Sequence, residues 1–246
     1  MVTYGIIGFP LTHSFSKQYF TEKIEKEGIT DAVYHSFPLK SIEEFPELLK
    51  SDPLLKGLSV TIPYKEKVLP YLTEVSGEVA EIGATNCIRI RGNELKGFNT
   101  DIIGFEKSFI KQLKPEHKKA LVLGTGGASK AVQYVLKKLD IDFLVVSRNE
   151  SNKDNFIQYK EITPAIVAEY KVLINSTPLG MSPDENTCPD IPYALLTTGH
   201  YLYDLVYKPT KTLFLQKGED KGSLICNGYE MLLIQAEENW RIWNEE

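Results

Sequence analysis

Cysteine is scarce: Cys87, Cys188 and Cys226 are the only three in 246 residues, far apart and without C-x-x-C spacing. That pattern gives neither a zinc ribbon nor a disulfide framework, and buried thiols in a reducing compartment are the expectation. Histidine is as thin, with His13, His35, His117 and His200 scattered singly, so no metal site is expected. No apolar run reaches the roughly 18 residues of a membrane span, so no membrane partner is expected. The N-terminus, MVTYGIIGFP, has neither the basic flank nor the apolar run of a signal peptide, which points to the cytoplasm. Positive charge is also in deficit. Lys and Arg number 28 against 33 Asp and Glu, a net charge of -5, and nucleic-acid binding needs a basic face. The strings G-x-S-x-G and G-x-x-x-x-G-K-[ST] are missing too, which removes the signatures of serine hydrolases and P-loop NTPases.

What remains is an ordinary globular composition, 42% hydrophobic and 25% charged, in a chain long enough for one large domain or two. Strand and helix patterns alternate along it. VTYGIIG (2–8) reads as an apolar strand and SKQYFTEKIEKEG as a helix closed by Gly28. AVYHSF (32–37) and GLSVTIP (57–63) read as further strands, with a capping-box spacing at Ser41 and Glu44 between them. Residues 85–100 look like a hairpin turning at Gly92-Asn93. A helix pattern from Asp101 runs up to Pro115, and PEHKK reads as a linker. The next stretch, KALVLGTGGASKAVQYVLKKLDIDFLVVSRN, has the strand, glycine turn, helix, strand order of a parallel βαβ unit. Strands are expected at 171–177, 200–206 and 223–228, and a last helix from Tyr229 to Trp243, with Asn227 and Glu230 at its N-terminus. These patterns predict two α/β lobes, the second a Rossmann-type sheet.

The glycine loop Gly124, Thr125, Gly126, Gly127, Ala128, Ser129 lies after a strand and opens a helix. Small residues there let backbone amides approach a pyrophosphate at the helix N-terminus, although a purely structural turn has the same look. The strand after it ends in Ser147, Arg148 and Asn149 rather than in the Asp or Glu that would bind a ribose 2′-hydroxyl. A guanidinium suits a 2′-phosphate, which favours NADP, while Glu150 next to it keeps NAD open. Ser14 and Ser16 precede a helix and could hold a small carboxylate, but on those residues alone N-capping is the better reading. Asp101, at a helix start, also reads first as a cap, and Lys65, in SVTIPYKEKV, as a solubilising charge after a strand.

Taken in order, the strings GFPLTHSFS (8–16), SVTIPYKE (59–66), GATNC (83–87), GFNTD (97–101), GTGGAS (124–129), INSTPLGM (174–181), YDLVYKPT (203–210) and GYEMLLIQ (228–235) resemble the shikimate dehydrogenase family across nearly the whole chain. The resemblance implies an N-terminal α/β substrate-binding domain (1–101, completed by 229–246) and a C-terminal Rossmann-type NADP-binding domain (102–228). The C-terminal helix would pack back on the first domain. It implies reversible reduction of 3-dehydroshikimate to shikimate with NADPH, on the way to chorismate and the aromatic amino acids, by a monomer or homodimer. Ser14 and Ser16 would hold the substrate carboxylate with Tyr207 nearby, and Thr61, Asn86 and Gln235 the ring hydroxyls. Lys65 and Asp101 would be the catalytic pair. Gly124, Thr125, Gly126, Gly127, Ala128, Ser147, Arg148, Asn149, Leu205 and Gly228 would face the cofactor. Hydride transfer to a ketone builds negative charge on oxygen, which a lysine can neutralise and protonate. A lysine of ordinary pKa, near 10.4, is a poor base at neutral pH, so that role asks for burial or positive neighbours.

The chain departs from the family pattern at Lys17, where proline is usual, at Ser59, where asparagine is common, and at Ser-Arg-Asn in place of Asn-Arg-Thr; it is also somewhat short. Two other readings stay open: an NAD- or NADP-dependent quinate/shikimate dehydrogenase, and a non-catalytic nucleotide-binding sensor on the same fold.

Overall fold

The apolar run at the N-terminus folds as a strand, β1 (Val2–Gly8), buried along nearly its whole length. In the computed structural model, which describes residues 1–11, 15–151 and 154–245, β1 sits inside a six-stranded sheet. Parallel neighbours flank it, β2 (Ala32–Pro38) and β3 (Leu55–Val60). The sheet continues with β5 (Cys87–Arg91), antiparallel to β3, then β6 (Glu94–Phe98) and the two-residue edge strand β4 (Glu74–Val75). Helix α1 (Phe15–Lys26) buries Ser16, Phe20 and Ile24, a stripe at i, i+4, i+8 that turns one face to the core. The short helices α2 (Phe45–Ser51) and α3 (Gly77–Ile82) complete the connections. The predicted capping box of Ser41 and Glu44 is present ahead of α2, with the Ser41 amide donating to Glu44 Oε1 at 3.1 Å. The predicted hairpin is present, with Gly92 at φ 59° as the first central residue of a two-residue turn.

A second parallel sheet follows α4 (Thr100–Phe109). Its strands are β7 (Lys119–Leu123), β8 (Asp142–Ser147), β9 (Phe156–Gln158), β10 (Val172–Asn175), β11 (Tyr201–Asp204) and β12 (Leu224–Cys226). Their spatial order is β12-β11-β10-β7-β8-β9, which is the 3-2-1-4-5-6 order of a Rossmann sheet read from its other edge. Helix α5 (Gly127–Lys138) crosses from β7 to β8; α6 (Pro164–Glu169) and α7 (Leu213–Glu219) serve the other half. Leu121, Leu123, Val146, Leu173, Leu202 and Phe214 form the core beneath them.

The last helix, α8 (Tyr229–Asn244), belongs to both compact units of the chain, Met1–Thr100 with Ala236–Glu246 and Asp101–Gln235. Its C-terminal half packs on the first sheet. Trp243 stacks on Tyr4 at 5.2 Å and donates Nε1–H to the Ile88 carbonyl at 3.1 Å. A Cβ on Gly57 would lie 2.3 Å from the Trp243 ring, so that strand position has room only for glycine.

Several predicted elements are shorter than the pattern, among them the strands expected at 171–177, 200–206 and 223–228, which span Val172–Asn175, Tyr201–Asp204 and Leu224–Cys226. The strand expected at 57–63 ends at Val60, because Pro63 has no N–H to continue the ladder and Thr61 begins a turn. The helix expected up to Pro115 stops at Phe109. Beyond it the bonds tighten to i→i+3, from Gln112 N to Phe109 O and from Leu113 N to Ile110 O.

Candidate active site

In the first unit the predicted residues gather where β1 and β3 end and antiparallel β5 begins, all one end of the sheet. Backbone bonds do the gathering. Thr61 N donates to Ile7 O at 3.0 Å, Val60 N to Asn86 O at 2.8 Å and Thr85 N to Lys65 O at 2.8 Å. Gly8 permits the crowding, since a Cβ there would lie 2.4 Å from Thr61 Cγ2. The TIPYK turn is held beneath by Tyr64, whose hydroxyl donates to the Leu39 carbonyl at 2.6 Å. Thr61 and Lys65 are half-buried and Asn86 is buried. Ser16 is buried on the first turn of α1; Ser14 lies outside the described residues.

Asn86 also organises the start of α4. Its Oδ1 accepts the Thr100 amide at 2.7 Å, and its Nδ2 donates to Thr100 Oγ1 at 3.0 Å. Asp101, expected as a helix cap, is instead inside the first turn of α4 and buried. Asn86 supplies the cap-like acceptor from another strand, and the Asp101 carboxylate adds a favourable charge at the positive helix end.

The second unit groups its predicted residues at the C-terminal ends of parallel strands. The glycine loop leaves β7 at the point where strand order reverses, between β7 and β10, which is where such sheets take nucleotides. Gly124 has φ 110°, and a Cβ would crowd Ser176 Oγ at 2.9 Å. Around Gly126, the residue before α5, a Cβ would meet nothing within 4 Å, and no side chain caps the helix there. Exposed amides at the start of a 12-residue helix are an anion cradle of the kind a pyrophosphate needs. Ser129, buried at the third loop position, donates Oγ–H to Gly124 O at 2.8 Å and so closes the loop. At the end of β8, Ser147 Oγ accepts the Asn149 amide at 3.1 Å, and Arg148 and Asn149 are exposed. Two strands away on the other side, Leu205 N donates to Asn175 O at 2.9 Å and Gly228 N to Val206 O at 3.2 Å. A Cβ on Gly228 would lie 2.2 Å from Leu205 O. The residues present therefore fit a dinucleotide: an uncapped helix end, an exposed guanidinium and two glycine-enforced backbone approaches. Tyr207 is half-buried, its phenol pushed up by burial, and Gln235 is buried, donating to the Leu232 carbonyl at 2.9 Å.

A network that motif reading left without roles supports these strand ends. Asp204 is fully buried, and its carboxylate accepts from Asn175 Nδ2 at 2.9 Å, Val206 N at 3.0 Å and Thr212 Oγ1 at 2.5 Å. Burial pushes its pKa up to about 7, against the three donors. In the first unit Tyr34, Thr100 and Asn239 were also missed. Asn239 carried a signal, standing one helical turn after Gln235, a residue the resemblance assigns to substrate, and one before Trp243 on the same face of the last helix. Among the described residues no group of three or more His, Cys, Asp or Glu side chains is placed to hold a metal, and no helix is long and apolar enough to cross a membrane.

The family model described as "Shikimate dehydrogenase substrate binding domain" matches residues 6–88. A shikimate dehydrogenase (NADP(+)) of Caldicellulosiruptor saccharolyticus is 36% identical over 253 residues, covering 97% of this chain and 90% of that protein. The crystal structure of shikimate dehydrogenase from Aquifex aeolicus superposes with a TM-score of 0.87 at 33% identity, covering 99% of this chain and 92% of that one. The Thermus thermophilus enzyme, solved in complex with NADP(H) and shikimate, gives a TM-score of 0.82 at 29% identity, covering 100% and 94%. With a relative this similar over almost its entire length, the chain belongs to the shikimate dehydrogenase family.

Proposed function

We propose that this chain catalyses the reversible NADPH-dependent reduction of 3-dehydroshikimate to shikimate, in the route to chorismate and the aromatic amino acids. The observation that carries the reading is the gathering of Ser16, Thr61, Lys65 and Asn86 at one end of the first sheet, in a chain whose second sheet ends in a glycine loop and an arginine turn. The resemblance to the Thermus thermophilus enzyme solved with NADP(H) and shikimate supports it.

In this reading Ser14 and Ser16 bind the substrate carboxylate, with Tyr207 assisting, and Thr61, Asn86 and Gln235 bind the ring hydroxyls. Hydroxyls near the positive end of α1 hold an anion without an arginine, and that remote binding energy aligns the reacting carbon. The bound nicotinamide supplies or accepts the hydride. Lys65 places positive charge beside the carbonyl oxygen as negative charge builds there, gives it a proton, and takes the proton back in the oxidation direction. Asp101 is assigned to orient Lys65 and a substrate hydroxyl rather than to carry the proton. Gly124, Thr125, Gly126, Gly127 and Ala128 would cradle the pyrophosphate; Ser147, Arg148 and Asn149 would take the 2′-phosphate; Leu205 and Gly228 would face the cofactor.

Residues 1–101 with 229–246 would then be the substrate domain and 102–228 the dinucleotide domain. The same reading puts the protein in the cytoplasm as a monomer or homodimer, with no nucleic-acid partner at a net charge of -5. The test is to follow reduced nicotinamide by absorbance with shikimate or quinate, each with NADP or NAD. Turnover of shikimate fastest with NADP is expected. No reduction in any of the four mixtures would return the chain to the nucleotide-binding sensors.

A further inference from the structure

The turn after β10 and the segment after β11 are tied together by one side chain to which no motif gave a role. Asn175 closes β10 and is fully buried, as are Asp204 at the end of β11 and Thr212 ahead of α7. Its carboxamide Oδ1 accepts from the Thr177 amide at 3.0 Å and from Thr177 Oγ1 at 2.6 Å. Nδ2 donates to Asp204 Oδ1 at 2.9 Å and to the Leu179 carbonyl at 3.3 Å. An asparagine side chain has two acceptor and two donor positions, so this one is saturated. The Asn175 backbone carbonyl takes a further bond, from the Leu205 amide at 2.9 Å.

The partners fix the direction of the amide. A backbone N–H can only donate and a carbonyl can only accept, so the oxygen end must face Thr177 and the nitrogen end Leu179 and Asp204. On one side the pinned turn lies against the glycine loop. Ser176 Oγ donates to Leu123 O at 2.7 Å, and a Cβ on Gly124 would meet Ser176 Oγ at 2.9 Å and Thr177 Cγ2 at 3.0 Å. On the other side Asp204 passes the constraint on. The Oδ1 that takes Asn175 also takes the Val206 amide at 3.0 Å, and Val206 O takes the Gly228 amide at 3.2 Å. Asp204 Oδ2 is held in turn by Thr212 Oγ1 at 2.5 Å. Gly124, Leu205 and Gly228, all proposed above to face the cofactor, are thus connected through Asn175 and Asp204. In a dry interior, removing the central group leaves several partners unpaired at once.

We propose that Asn175 is a positioning residue for the cofactor: its carboxamide fixes the 176–179 turn against the glycine loop and, through Asp204, sets where Leu205 and Gly228 stand. This inference rests on the reading of Gly124, Leu205 and Gly228 as cofactor-facing. With all its groups spent on protein, Asn175 holds them without touching the dinucleotide.

Steady-state kinetics on the full chain, with NADPH binding followed by nicotinamide fluorescence, test it. Asn175→Ala is expected to raise KM for NADP and the NADPH dissociation constant about tenfold, with KM for shikimate within about twofold. Asn175→Asp is expected to do more, since it sets an oxygen against Asp204 Oδ1 and the Leu179 carbonyl. Asn175→Ser is the milder variant should those two fold poorly. A serine hydroxyl can still accept from the Thr177 amide but reaches neither Asp204 nor Leu179, and KM for NADP is expected to rise in the same direction. Leu173→Ala, buried in the same strand, is the stability control; it is expected to lower the unfolding midpoint while KM for NADP stays within about twofold. A rise in KM for NADP of the same size in Leu173→Ala, or an equal rise in KM for shikimate in the Asn175 variants, would overturn the proposal and leave a purely structural role. Wild-type NADP affinity in Asn175→Ala or Asn175→Ser would overturn it too, while the dinucleotide reading stood. A wild type with neither NADP turnover nor NADPH binding would overturn both.

Discussion

Arg148 stands exposed at the turn after β8, with the Ser147 hydroxyl occupied by the Asn149 amide and Glu150 one residue further on. If the guanidinium binds a 2′-phosphate, Arg148→Ser should raise KM for NADP about tenfold or more and leave KM for NAD nearly unchanged, since only one cofactor carries that group. Parallel loss with both cofactors, read from initial rates, would remove the assignment. Gly228 makes a different demand. A Cβ there would meet the backbone oxygen of Leu205 at 2.2 Å, and backbone cannot swing aside as a side-chain tip can. Gly228→Ala is therefore expected to destabilise the second unit by about 1–3 kcal/mol in denaturant unfolding and to weaken NADP binding. A variant with wild-type stability and affinity would show that Leu205 gives way freely. Motif strings make such residues legible, because short glycine-bearing signatures are local. The buried bond from the Tyr34 phenol to Ser59 Oγ was illegible for the opposite reason. A phenol inside AVYHSF reads as core, and its partner lies 25 positions away, with Asn239, which also donates to Ser59, a further 180.

At the scale of elements, β10 and β11 are joined at their ends by the Asp204 cluster, and its titration has a definite sign. The ordinary carboxyl value is 3.8 and burial raises the folded value to about 7. Between those limits the unfolded chain ionises while the folded chain holds its proton, so stability falls as pH rises and is level again above about 7. Asp204→Asn removes the titration while keeping an acceptor for Asn175 and Val206. Between pH 5 and pH 8 the wild type is expected to lose roughly 2–3 kcal/mol relative to this variant in chemical denaturation. Parallel stability curves would mean that the three donors hold the group ionised throughout. The motif strings NSTPLGM and YDLVYKPT contain both partners, yet only the fold brings Asn175 against Asp204. Strand identity was legible from apolar runs at β1, β7, β8, β10 and β11, whereas three-residue β9 and two-residue β4 carry too few residues to show a period. Strand ends were read too long at Val60 because Ile62 and Pro63 continue the apolar run without continuing the ladder.

The whole molecule depends on residues from opposite ends of the chain meeting on one sheet. Tyr4 and Phe20 pack with Trp240 and Trp243, and Tyr4 OH donates to Asn244 Oδ1 at 2.8 Å. Trp243→Ala would empty the space over Gly57 and remove the indole bond to the Ile88 carbonyl, so a loss of about 3–5 kcal/mol is expected in the unfolding of the first unit. A loss under about 1 kcal/mol would mean that the C-terminal half of α8 is dispensable to that sheet. Such closure between distant segments was readable only through the family resemblance, since a helix pattern says which face is apolar but not what covers it. The same holds for Lys65. Locally it is a charge after a strand; its proposed chemistry comes from the company that the TIPYK turn keeps with Thr61 and Asn86. The most direct test is therefore the steady-state oxidation of shikimate by NADP with Lys65→Met against the wild type. Loss of the proton carrier should lower kcat by about 10²–10⁴-fold while KM for shikimate stays within a few-fold. A raised KM with kcat retained would contradict it, leaving Lys65 as a binding residue and the proton to another group.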